Sequence, residues 1–130
     1  MMDDIQWLQS KGFTCIGHWS KPEAKLKREA VDHISGVYAF VVGRELRYLG
    51  KAEHLRGRAR SYNRSLAKET RRELRKAHVG IRETWDACET VEVWVYKFSG
   101  GCGKTLLELE TEWINERRPC WNGTAIGGLV

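Results

Sequence analysis

Runs of β-branched and aromatic residues alternate along this chain with stretches whose apolar positions recur at helical spacing. "GVYAFVV" (36–42) and "ELRYLG" (45–50) flank a turn at Gly43 and predict a β-hairpin. "ETVEVWVYKF" (89–98) alternates polar and apolar at first and predicts a third strand. In "KTLLELETEWINERR" (104–118), Leu106, Leu107, Leu109, Trp113 and Ile114 form one apolar stripe of a helix that Pro119 ends. "DDIQWLQSKG" (3–12) reads as a short helix stopped by Gly12, and "FTCIGHW" (13–19) as extended chain. "KPEAKLKREAV" (21–31) reads as a weak charged helix with Pro22 near its start. "AEHLRGRARSY" (52–62) and "SLAKETRRELRKAHV" (65–79) predict two further helices. A three-residue turn, Gly43 to Glu45, would set Tyr38 and Tyr48 on one face of the hairpin and Phe40 opposite Tyr48. The elements describe an α+β fold, a small antiparallel three-stranded sheet flanked by helices.

Composition narrows the class. The 130 residues, 42% hydrophobic with six Trp, suit a single domain that buries a core without disulfide staples. No apolar run approaches the roughly 20 residues of a membrane span, and "MMDDIQWLQSKGF" lacks the apolar segment of a signal peptide. Cys15, Cys88, Cys102 and Cys120 are scattered without a C-x-x-C pair, which predicts free thiols in a reducing cytoplasm and no zinc site.

Charge is uneven. From Lys51 to Lys76 ten Lys or Arg stand against three Glu, whereas "KTLLELETEWINE" holds four Glu against one Lys. A basic half beside a small acidic group is how a nuclease would divide its charge, although an arginine-rich helix is often a solvated face. "GGCGKTLLELE" (100–110) has the outline of a phosphate-cradling loop, but the required first glycine is replaced by Phe98, so its glycines turn the chain from strand into helix. Glu110 lies within the apolar stripe of that helix, whereas Glu108 and Glu112 lie off it. A carboxylate among apolar neighbours needs a cation or donors, which makes Glu110 either the partner of a buried Arg or a hard-oxygen metal ligand. On the helix after the hairpin, Arg58 stands among the inward positions Leu55, Ala59 and Tyr62. His54 and His78 read as surface histidines.

"GVY" (36–38), "YLG" (48–50), Lys51, "LRGR" ending at Arg58, the Glu110 helix and "RPCWN" ending at Asn122 together resemble a GIY-YIG nuclease, close in flavour to the nuclease module of the bacterial excision-repair incision enzyme. The likeness spans 36–122 as the nuclease core and leaves 1–35 as an amino-terminal extension of unknown role. Val37 and Leu49 depart from the isoleucines of the two motifs, at positions whose side chains do no chemistry. The resemblance implies a metal-dependent DNA endonuclease, monomeric or homodimeric, using Mg²⁺ or Mn²⁺. Glu110 would ligate the metal, Arg58 hold a phosphate oxygen, and Tyr38 act as base or water-positioning group. A phenol is a poor base at its ordinary pKa near 10, so Lys51 or the metal would have to favour its ionisation. Tyr48 and Tyr62 would orient water and phosphate, and Asn122 would fix the loop beside the metal. Arg56, Arg60, Arg64, Lys68, Arg71, Arg72, Arg75 and Lys76 would follow the nucleic-acid backbone without reading sequence. The alternative is a nucleic-acid-binding module of the same fold that has lost catalysis.

Overall fold

The computed structural model describes residues 2–20, 23–26, 35–54, 84, 90–99 and 103–122, with backbone alone at 19–20 and 23–26. Both helices predicted over 52–62 and 65–79 lie outside these residues, except Ala52, which ends a strand. Helix α1 (Asp4–Lys11) leads into β1 (Thr14–Ser20) and β2 (Glu23–Leu26). The hairpin β3 (Gly36–Val42) and β4 (Glu45–Ala52) follows, then β5 (Val91–Lys97), α2 (Leu106–Arg117) and a 3-10 turn at Cys120–Asn122. The fold is α+β, as the periodicity predicts, but among the described residues the sheet has five strands instead of three, ordered β2-β1-β5-β3-β4 and antiparallel throughout. Four of them form its body, and the four-residue β2 is added along β1. The 21–31 segment therefore contains a strand where its Lys, Glu and Ala content predicts helix. Antiparallel pairing with the strand just before it, from Ser20↔Glu23 to Gly17↔Leu26, overrides weak local helix propensity.

Both helices are delimited by their own residues. Asp3 caps α1 by accepting the Gln6 N–H while the Gln6 side chain accepts the Asp3 N–H, and Gly12 ends the helix at φ 96°, which favours glycine. Thr105 and Glu108 form the same reciprocal box on α2, so the Lys-Thr pair of the glycine-rich segment starts a helix. Lys104 itself pairs with Glu112. Arg118 adopts a left-handed conformation, φ 48°, and donates to the Ile114 carbonyl, so α2 ends just short of Pro119.

The core lies between one face of the sheet and the two helices. Val37, Ala39, Val41, Leu46, Leu49 and Trp94 meet Ile5, Trp7 and Leu8 of α1 and Leu106, Leu109, Trp113 and Ile114 of α2. Leu107, placed by its spacing on the apolar stripe, is instead 57% exposed, because it lies 100° around the helix from Leu106. Trp113 is the aromatic centre, meeting Phe13 at 5.3 Å, Trp7 edge-on at 6.0 Å and Tyr96 edge-on at 5.2 Å. The first 20 residues, about which the resemblance is silent, thus supply a helix and an interior strand to the core that carries α2.

Two outcomes follow from this packing. Leu8→Ala, at a fully buried position, is expected to cost about 2–5 kcal/mol, read as a lower urea midpoint at unchanged m-value. The Asp3 carboxyl is held below its ordinary range, first by the Gln6 backbone N–H and then by Arg44, and that of Glu108 by the Thr105 backbone N–H and hydroxyl. A depressed folded value means that the stabilisation is present above the ordinary carboxylate range and is lost as pH falls through the lower folded value. The Asp3→Asn, Glu108→Gln double variant should therefore show a shallower fall of Tm between about pH 5 and pH 3, followed by thermal melts.

Candidate active site at the outer edge of the hairpin

The turn between β3 and β4 has two residues, Gly43 and Arg44, both with positive φ (56° and 68°), the pattern of a type I′ turn. Such a turn followed by regular pairing would oppose Tyr38 to Leu49 and send the two tyrosines to opposite faces. A bulge intervenes. Val41 pairs with Leu46, and Phe40 then pairs with Tyr48, leaving Arg47 as the extra residue on β4. The expected common face for Tyr38 and Tyr48 is real, but the bulge creates it, where sequence spacing predicts a three-residue turn. Their rings lie 5.9 Å apart, and Phe40 stacks on Tyr48 at 5.4 Å.

Gly50 pairs with Tyr38 across the hairpin. A Cβ at Gly50 would stand 2.6 Å from both Cζ and Oη of Tyr38 and 2.9 Å from Cε2 of Tyr48. The Tyr38 hydroxyl therefore lies directly over the backbone of β4, where a side chain would exclude it. Sequence reasoning names Gly50 only as part of a motif; glycine within a strand is the signal for this close approach.

β4 is the edge strand, and side chains satisfy its outer backbone groups. Asn122 accepts the Leu49 N–H at 2.9 Å and donates to the Leu49 carbonyl at 2.7 Å. One residue beyond Gly50, Glu110 Oε2 accepts the Lys51 N–H at 2.9 Å. Toward the turn, Asp4 accepts the Leu46 N–H at 2.8 Å, a role invisible in the sequence. The four residues Tyr48 to Lys51 thus gather five of the predicted site residues, Tyr38, Tyr48, Lys51, Glu110 and Asn122, around one short piece of edge strand. Tyr38 is buried, and the other four are half-buried. Lys51 pairs with Val37, so strand alternation puts its side chain on the Val37 and Leu49 side of the sheet, across from the tyrosines. Glu110 reaches the edge from α2, which packs on that same side. Arg58, Tyr62 and the run Arg56, Arg60, Arg64, Lys68, Arg71, Arg72, Arg75 and Lys76 lie outside the described residues. His54 is exposed. Trp121 is buried beneath the Arg47 guanidinium, 5.8 Å from its ring centroid.

Among the described residues no group of three or more His, Cys, Asp or Glu converges, and no helix is long and apolar enough to cross a membrane. No protein-family model matches the sequence, and no curated protein matches it. Solved structures do. The bacteriophage T4 EndoII structure, a glutamate-to-alanine mutant, superposes with a TM-score of 0.73 over 94% of this chain and 100% of its own, at 16% identity. The GIY-YIG amino-terminal endonuclease domain of UvrC from Thermotoga maritima matches at 26% identity and a TM-score of 0.52, over 75% of this chain and 94% of that domain. That structure is a tyrosine-to-phenylalanine mutant bound to its catalytic divalent cation. Restriction endonuclease HPY188I, in complex with product DNA, matches at 15% identity and a TM-score of 0.54, over 97% of this chain and 85% of its own. The chain has a GIY-YIG nuclease fold, related to that of the UvrC domain.

Gly50→Ala tests the convergence over β4. The added methyl should displace the Tyr38 phenol and cost about 1–3 kcal/mol. Tyr38→Phe in the same chain should recover part of that loss, since it removes one of the three crowded atoms. Additive effects in this double-mutant cycle would contradict the contact.

Proposed function

We propose that this protein is a DNA endonuclease that depends on a divalent cation, Mg²⁺ or Mn²⁺, bound at Glu110. The observation that carries the reading is the hydrogen bond from the Lys51 N–H to Glu110, one residue from the backbone over which the Tyr38 hydroxyl lies. A half-buried carboxylate held by a fixed donor, one residue along the edge strand from the backbone under a tyrosine hydroxyl, supports this reading.

The donor set suits the ion. A single carboxylate oxygen is a hard ligand, and Mg²⁺ commonly keeps several waters while bound through one or two carboxylates and substrate phosphate. When bound, the cation would supply Lewis-acid stabilisation of the charge that builds on the scissile phosphate. Tyr38 would position the attacking water and take up its proton as the water oxygen bonds to phosphorus and the bond to the 3′ oxygen breaks. Tyr48, stacked on Phe40 and tilted against Tyr38, would orient that water, with Tyr62 completing the orientation of the phosphate. The cation at Glu110 and the Lys51 ammonium, both on the α2 side of β4, would favour the phenolate across the gap that Gly50 leaves. Arg58 would hold a non-bridging phosphate oxygen. Asn122 would hold the Leu49 peptide, and with it the strand segment between Tyr48 and Lys51, in one place. The run from Arg56 to Lys76 would track the backbone of the nucleic acid.

The test is incubation with labelled single-stranded, duplex and flap DNAs in the presence of Mg²⁺ or Mn²⁺. Cleavage of at least one substrate that stops on chelation is expected. Binding without cleavage on every substrate would favour the module that has lost catalysis. Glu110→Gln, whose amide oxygen still accepts the Lys51 N–H, should abolish cleavage and leave DNA affinity nearly intact; unchanged turnover would sink the ligand assignment. Tyr38→Phe should lower the single-turnover rate by roughly 10² to 10⁴, and Tyr48→Phe by less. The reverse order would exchange their roles.

A further inference from the structure

The Asp4 carboxylate of α1 joins the two elements that carry the candidate site. Its Oδ2 accepts the Leu46 N–H on the outer edge of β4 at 2.8 Å, and its Oδ1 pairs with Arg117 of α2. Each side chain of this pair is 22% exposed, so water screens it less than a surface ion pair. The Arg117 guanidinium also lies over the Trp7 ring, 5.4 Å from its centroid, and the Trp7 indole donates to Glu116 at 2.8 Å. Arg117 stands seven residues after Glu110, close to two full turns, so both project from the same flank of α2. That flank is pegged to the edge of β4 twice, by Glu110 on Lys51 and, through Arg117 and Asp4, on Leu46. Apolar packing seats α2 on the sheet, and the two polar pegs set where its flank, and the carboxylate it carries, meets the edge strand.

We infer that Asp4 is a positioning residue for Glu110: it holds the far end of α2 against the edge strand, so that the Glu110 carboxylate stays on the Lys51 amide. The inference rests on the nuclease reading and extends the functional machinery into the amino-terminal helix. A functional carboxylate must be held to about half an ångström to be productive, and the supporting contacts around it supply that precision. Asp3, one residue earlier, caps the same helix and pairs with the exposed Arg44 instead, so it shares the helix but not the tether.

Amide hydrogen exchange by NMR on the full chain gives the direct test, with single-turnover cleavage as the second measure. In Asp4→Ala, exchange at the Lys51 amide should rise by roughly tenfold or more relative to the Leu49 amide, whose partner Asn122 is untouched. Cleavage should fall by roughly 10- to 100-fold with DNA affinity unchanged. Asp4→Asn still accepts from Leu46 but loses its charge toward Arg117; it should fall between Asp4→Ala and wild type, and it carries the test if Asp4→Ala does not fold. Asp3→Ala should leave both the exchange ratio and the cleavage rate at wild-type values. Equal acceleration of both amides, an unchanged ratio, or the same loss in Asp3→Ala would overturn the positioning role. If the wild-type protein cleaves no DNA, the nuclease reading fails, and the exchange ratio still decides whether Asp4 holds Glu110.

Discussion

An edge strand presents a row of backbone N–H and C=O groups that water, another chain or the protein itself must satisfy, and here three side chains meet four of those of β4. Asp4 takes the Leu46 N–H, Asn122 takes both polar groups of Leu49, and Glu110 takes the Lys51 N–H. These three residues come from the start, the end and the last helix of the described chain. Closing one edge therefore draws distant segments together on a strand of eight residues. The same hydrogen bonds that blunt the edge fix a carboxylate and a carboxamide where the candidate chemistry needs them. Stability of the edge and geometry of the site are one arrangement.

The second constraint lies on the face of that strand. Tyr38 comes within reach of the edge because the bulge at Arg47 brings Tyr48 to its side and because Gly50 leaves room for its hydroxyl. A face and an edge meet at Gly50. Glu110 approaches from the helix side of the sheet and Tyr38 from the other, and a strand without a side chain at that point is thin enough for both to reach it. The aromatic packing of Trp7, Phe13, Tyr96 and Trp113 supports this from below, since it seats α2 and α1 against the sheet.

Much of this was legible in the chain. The hairpin, β5 and α2 stand where periodicity puts them, because each buries an apolar face whose period is local. Five of the predicted site residues lie around one short piece of β4, on its two faces and its edge. The misreadings share a cause. The strand within 21–31, the bulge at Arg47 and the exposure of Leu107 depend on strand pairing, register and helix angle, which an apolar period alone does not resolve.

The sequence by itself determined the hairpin, β5 and α2, the stop at Gly12 and the identity of the candidate chemical groups, since each rests on residues close to one another in the chain. Tertiary structure decided which backbone donors those groups would meet. The helix that carries Glu110 holds no information on which backbone donor its carboxylate meets. Only the packing of α2 along β4 puts its carboxylate on the Lys51 N–H, and only the pairing of β1 with β5 makes the amino-terminal segment part of that packing. Local residues can specify a dihedral, a cap or a period; the partner of a buried polar group is specified by the whole chain closing around it.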